Sequence, residues 1–298
     1  MKPETLRKII DIDSRMIDFF KEFQYSYLNF DYENLLKLIF VLENKPMKSI
    51  SLFCKEDADF AITNQKRINS ILNSVRIFLM DSKLLGYYHF SDRSVYPLIC
   101  IVYHQFYKEI SYWEFENFWD KNQDEFISFK IWLYRFLLFN KSSNKKVVDP
   151  PIEELLHVFS AYPEELKLTV ETLDNCNTDF VLYLLTDKYF DKDYMGHCMS
   201  PFVLKPHSYS PRYINDIRNI DIVSDPSILP LKEVLSFEDW INHHVIDKSF
   251  YIKKSLIPEN EELWTEEKFS EFCEARGKLI VEKINQIFSE LATETPSN

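Results

Sequence analysis

Glycine is nearly absent from this 298-residue chain: Gly86, Gly196 and Gly277 are the whole complement. The dinucleotide-binding and P-loop phosphate cradles both need several glycines within a few residues, so a conventional nucleotide-binding loop is excluded. Cysteine pairs are lacking as well. Cys54, Cys100, Cys176, Cys198 and Cys273 are scattered, odd in number and free of any Cys-x-x-Cys, which reads as reduced thiols in a cytosol and not as a disulfide framework or zinc ribbon. No apolar run reaches membrane length: residues 94–107, SVYPLICIVYHQFY, fall short of the ~20 a spanning helix needs and read as a buried helix. The opening MKPETLRKIIDIDSRMIDFF carries charges throughout, so no signal peptide is expected. The expectation is a cytoplasmic protein with no membrane partner. Positive charge is also in deficit, with 35 Lys and Arg against 47 Asp and Glu and a formal charge of −12. Affinity for phosphate backbones comes mainly from neutralising them with Lys and Arg. Free DNA is therefore a disfavoured partner and a protein with a basic face a favoured one.

What is present is apolar and aromatic: 46% of the chain is hydrophobic and 16% is Phe, Trp or Tyr, the composition of a folded protein with room for one large or two modest domains. Leu35, Leu36, Ile39 and Leu42 mark an amphipathic helix that NKP ends. MKSISLFCKED alternates as a strand, with ADFAIT, residues 58–63, as its expected partner. Ile68, Ile71, Leu72, Val75 and Leu79 return to helical spacing. From about residue 84 to 190 the successive runs, including IEELLHVFSAY, predict a helical bundle, interrupted by a polar loop at 140–151. Prolines break the pattern between 194 and 240, where IDIVS is a short strand. Phe269, Phe272, Cys273, Leu279, Ile280, Ile287 and Leu291 stripe a closing helix, with Thr265 as its N-cap and Glu266 and Glu267 at its start. The predicted fold class is α+β, predominantly helical, in three parts: 1–83, 84–190 and 191–298.

Two stretches, in this order, resemble one family. Phe23-Gln24-Tyr25, followed by a helix, the strand pair and Thr63-Asn64-Gln65-Lys66-Arg67-Ile68-Asn69, resembles the N-terminal domain of GmrSD-type, modification-dependent restriction enzymes. That family opens on Tyr-Gln-Arg and carries Asp-Gly-Gln-Gln-Arg-Leu-Thr. GHCMSPFVL with RNIDIVS resembles its C-terminal HNH-type nuclease domain, whose pattern is Asp-His-Ile-x-Pro, an Asn-led strand and a third polar ligand. The tail, from SLIPENEELW to LIVEKINQIF, is similar to the family's closing helix. The resemblance implies a small ParB/sulfiredoxin-like α/β domain over 1–83, a helical domain over 84–190, and a degenerate HNH-like ββα module with a C-terminal helix over 191–298.

The departures fall on the chemistry. His197 and Asn219 are retained as candidate catalytic residues, with Pro201 and Lys232 in keeping with the pattern, but Gly196 stands where the family has an aspartate and Ile228 where it has the third ligand. Neither can coordinate a hard metal, which takes oxygen ligands. Gln65 and Arg67 are candidate nucleotide-phosphate contacts, yet Thr63 replaces the acid. The two side chains serve equally well to cap a helix and pair with a neighbouring carboxylate. No metal site is expected: His197, Cys198 and His207 lack ligand spacing. His243 and His244 read as a helix end, and the aromatics of 103–139 as core more than as a base-stacking platform.

The functional expectation is a catalytically inactive binding or regulatory subunit of a restriction or anti-phage defence system, with no cofactor. Its expected partner is an active relative or a nuclease or NTPase. One alternative is an active HNH-type DNA endonuclease with a nucleotide-responsive N-terminal domain, using Mg²⁺ held by Asp193 or Asp221 together with GTP or ATP. A second is an acidic DNA mimic that inhibits a nuclease.

Overall fold

A computed structural model describes residues 3–23, 32–43, 45, 52–90, 95–111, 114–115, 117–139, 168–186, 194–223 and 225–293. They are mostly helical, with one two-stranded sheet. The chain divides into two compact units, one formed by residues 1–132 with 144–163 and the other by 133–143 with 164–298. The loop expected at 140–151 and the helix expected at 152–162 lie outside the described residues, as does Gln24. No helix among the described residues is long and apolar enough to cross a membrane.

The first unit opens with helices α1 (Pro3–Ile12), α2 (Met16–Phe23) and α3 (Tyr32–Leu42). Leu35, Leu36 and Ile39 of α3 are fully buried, as their helical spacing requires. Next come α4 (Lys55–Thr63) and α5 (Gln65–Asp81), the latter burying Ile68, Ile71, Leu72, Val75 and Leu79. The strand expected over residues 58–63 is corrected here: these residues are α4. Cys54, in extended conformation, is its N-cap, and its backbone N–H donates to Asp57 Oδ2 at 2.8 Å in a reciprocal capping box. Ala58 and Ala61, good helix formers, turn inward with no exposed surface. Asp57 is further held by Lys45 Nζ at 2.6 Å. Of the other expected strand, MKSISLFCKED at 47–57, residues 47–51 lie outside the described residues, while 52–54 are not strand and 55–57 form the first turn of α4, so within 1–83 no described residue is in a strand.

Aromatic side chains make the rest of this core. α6 (Tyr96–Val102) runs into a π-helical turn at Tyr103–Tyr107, and α7 (Gln123–Phe139), of which residues 123–132 belong to this unit, follows a short helix, Phe118–Lys121. Tyr107 stacks on Phe115 with ring centres 4.4 Å apart, and Trp119 packs on Phe78 at 4.9 Å while donating its indole N–H to the Ser74 carbonyl at 3.2 Å. Tyr107 OH hydrogen-bonds Ser74 Oγ. Each polar tip has a partner, so these large rings bury area without stranding a donor.

The second unit contains α8 (Thr178–Leu185), the strands β1 (Met195–His197) and β2 (Ile220–Ile222), and helices α9 (Phe237–His244), α10 (Lys248–Lys254) and α11 (Phe269–Thr293). Met199, Phe237, Trp240, Trp264, Phe269 and Phe272 form its core. Thr265, expected as the N-cap of the closing helix, instead precedes a 3₁₀ turn, Glu266–Lys268, that leads into α11, and its side chain makes no cap hydrogen bond. Glycine takes no left-handed position in this protein; Lys83, Ser208 and Leu256 do, Leu256 with φ 52°. At Leu256 the Ile257 N–H donates to the Ile252 carbonyl at 2.9 Å, closing the end of α10 around a residue type that pays about 1–2 kcal/mol for that conformation.

Asp57→Ala removes a helix cap and an ion pair at once. It should lower the stability of the first unit by about 1–2 kcal/mol, read as a reduced urea midpoint at unchanged slope. Asp59→Ala, on the exposed Asp59–Arg15 pair, should stay within about 0.5 kcal/mol in the same assay.

Candidate functional site

β1 and β2 pair antiparallel with Met195 opposite Ile222, Gly196 opposite Asp221 and His197 opposite Ile220. The ladder extends at both ends, from Cys198 N–H to the Asn219 carbonyl at 2.7 Å and from Val223 N–H to the Tyr194 carbonyl at 3.0 Å. Between the strands the chain turns through short proline-led helices, Pro201–Leu204 and Pro211–Ile214, capped by Ser200 and Ser210. Asp216 caps the 3₁₀ turn Ile217–Asn219 that delivers Asn219 to the base of the ribbon.

Asn219 has no exposed surface, and its whole side chain is spent on backbone. Its Oδ1 accepts the Met199 N–H, and its Nδ2 donates to the Met199 and Ile214 carbonyls, all at 2.9 Å. That clamps the two ends of the intervening loop together and spends both amide N–H groups, while the second lone pair of Oδ1 lies buried with the rest of the side chain. His197 is half-buried, and its Nε2 lies 2.9 Å from Asn215 Oδ1.

Directly opposed residues of an antiparallel pair share a face, and neighbours along a strand alternate. Asp221 therefore lies on the Gly196 face and His197 on the other. A side chain at 196 would meet Leu229: a Cβ there falls 2.6 Å from Leu229 Cδ2. The glycine leaves the inner face to Asp221, which is 2% exposed. Its Oδ2 accepts Lys232 Nζ at 2.5 Å and Tyr251 OH at 2.5 Å, and its Oδ1 accepts the Ile222 N–H at 2.9 Å. Lys232 is itself 3% exposed and lies over the rings of Trp240 and Tyr251. Burial alone would push the Asp221 carboxyl up, but Lys232, Arg276 and the hydrogen bonds together hold it below the usual carboxylate range. Burial and the Asp221 charge push the Tyr251 phenol well up, and burial takes the Cys198 thiol to about 11. Both stay protonated at neutral pH.

The remaining candidates do not converge on this point. Ile228 packs against the apolar core, His207 and the pair His243 and His244 are exposed, and Asp193 lies outside the described residues. Among the described residues no three His, Cys, Asp or Glu side chains gather as a metal shell. In the first unit, Gln65 Nε2 donates to Glu22, which also accepts Asn69 Nδ2 at 2.9 Å. Arg67 lies over the Tyr103 ring, 5.8 Å from its centre. A carboxylate thus holds the start of α5, where a phosphate contact was one of two expectations.

The trio Asp221, Lys232 and Tyr251 is a buried polar cluster, and sequence reasoning did not assemble it. The available signal was an acid between two isoleucines in IDIVS, a charge at an inward strand position. No protein-family model, curated protein or solved structure matches the chain.

Lys232→Met leaves a carboxylate buried without its cation and should cost about 3–5 kcal/mol, most of it recovered in the Asp221→Asn, Lys232→Met double variant; a denaturation cycle reads the difference. The pH dependence has a definite sign. The folded Asp221 binds its proton more weakly than the unfolded one, so its contribution is present above the unfolded value of ~3.9 and lost as pH falls through the lower folded value. Acid titration of stability should show this loss in the parent and not in Asp221→Asn.

Proposed function

We propose that this chain is a catalytically inert binding or regulatory subunit of a restriction or anti-phage defence system, built on an HNH-like ββα framework. The observation that carries the reading is the occupation of Asp221. An ammonium group at 2.5 Å fills the place a divalent cation would take beside that carboxylate, and His197 projects from the opposite face of the ribbon. General-base chemistry by the histidine and metal binding by the aspartate need one shared substrate phosphate, which opposite faces do not provide. Asn219 is consumed by backbone. In this reading neither Mg²⁺ nor GTP or ATP takes part.

What such a framework offers is surface. Phe202, Val234, Ile246 and Phe250 are all more than 60% exposed. The segments that carry them are tied together through Ser200 Oγ to the Glu233 carbonyl and Lys232 Nζ to Tyr251 OH. In this reading these exposed apolar side chains supply the protein contact. With a net charge of −12 the favoured partner is a nuclease or NTPase with a basic face, an active relative included.

Purified protein with supercoiled plasmid and Mg²⁺ or Mn²⁺ should give no nicking above background, and His197→Ala should change nothing; nicking abolished by that substitution would establish the endonuclease instead. Affinity capture from the native cell should recover a nuclease or NTPase, and Ile246→Glu with Phe250→Glu should reduce the yield severalfold. A monomer without partners that cuts DNA would end this reading.

A further inference from the structure

Behind the ribbon, the second unit holds a cleft of about 240 Å³. It is smaller than the ~300–1,000 Å³ of clefts that take drug-sized ligands, and so suits a compact one. Leu182, Leu185, Ile222, Val223 and Leu256 give it apolar walls, and Lys254, Asp221 and Arg276 supply charge.

The charges do not balance. Asp221 is already neutralised by Lys232. Arg276 is 3% exposed, yet its partners are carbonyls alone: Nε and Nη2 donate to Ser255 O at 3.2 and 3.0 Å, and Nη1 donates to Arg218 O at 2.8 Å. A guanidinium has five N–H groups, so two remain. The nearby Asp216 and Asp174 are held by Arg218 at 2.6 and 2.7 Å. Lys254, at the rim, faces only the Phe250 ring, 5.9 Å from its centre. Three cations thus stand around one carboxylate, in a protein whose overall charge is strongly negative. Arg276 has Asp221 as its nearby counter-charge, and that carboxylate is already engaged by Lys232, so the buried cluster is left with an excess of positive charge that favours an anion.

We propose that this cleft binds a monocarboxylate with a short aliphatic chain, the carboxylate on the two unspent N–H groups of Arg276 with Lys254 at the entrance, and the chain against the leucine, isoleucine and valine walls. The site is independent of whether the ribbon is catalytically inert, and its test reads no DNA chemistry.

The experiment is a methyl NMR titration of the full chain with hexanoate, and with hexanamide as the uncharged isostere. Hexanoate should give saturable shifts confined to the methyls of Leu182, Leu185, Ile222, Val223 and Leu256, with hexanamide about tenfold weaker or worse, as loss of a charge-assisted contact implies. Arg276→Gln should abolish binding. Should that variant fail to fold, exposed Lys254→Gln should still weaken hexanoate about threefold or more, and Leu185→Trp should block it by filling the cleft. Absence of saturation by about 10 mM, equal binding of hexanamide, or unchanged binding in both Lys254→Gln and Leu185→Trp overturns the proposal.

Discussion

The contact between Asp221 and Lys232 ties the ribbon to the rest of the second unit. A carboxylate on the inner face of a two-stranded ribbon is tolerable only when paired and hydrogen-bonded. Each partner it recruits ties a further element to β2: Lys232 brings the helix Leu229–Lys232, and Tyr251 brings α10. Arg276, whose charge also favours the ionised Asp221, joins α11 to Arg218 and Ser255. Gly277 lets this happen, since a Cβ there would lie 3.0 Å from Arg218 Cδ. The ribbon is short, and polar ties make up for what its few ladder bonds cannot hold.

The parts of the fold that are legible in the amino-acid sequence are those decided by burial period. Leu35, Leu36 and Ile39, the stripe from Ile68 to Leu79, and Phe269, Phe272 and Ile280 of α11 repeat at helical spacing and are buried as that spacing implies. Residues 58–63 went the other way. Phe60 and Ile62 alternate with small or polar neighbours as a strand would, but the cap at Cys54 and Asp57 and the inward alanines decide for helix. A cap is a local hydrogen bond, and alternation over so few residues does not outweigh it.

The site was less legible because its bonds are not periodic. His197 and Asn219 could be singled out only through the resemblance to an HNH-type pattern, and the structure places both at the ribbon, but what each touches depends on pairing. Asn219 finds Met199 and Ile214 across a loop, and Asp221 finds partners 11 and 30 residues further on. Register alone places Asp221 and His197 on opposite faces, and a register is set by the ladder. In the first unit, Glu22 claims Gln65 from 43 residues away, which no helix-start signature reveals.

The Asn219 clamp and the Asp221 cluster also differ in when they can form. Every partner of Asn219 precedes it in the chain, so the loop can close as soon as β2 leaves the ribosome. Asp221 must wait: Lys232 follows soon, Tyr251 later, and Arg276 is 55 residues behind. At ~5–20 residues per second, Asp221 stands for about 3–11 s in a ribbon whose second cation has not been made. The apolar core around Trp240 includes Phe269, Phe272 and Cys273, so it cannot be completed until the first turns of α11 have been synthesised, which makes the closing helix the timekeeper of its own unit.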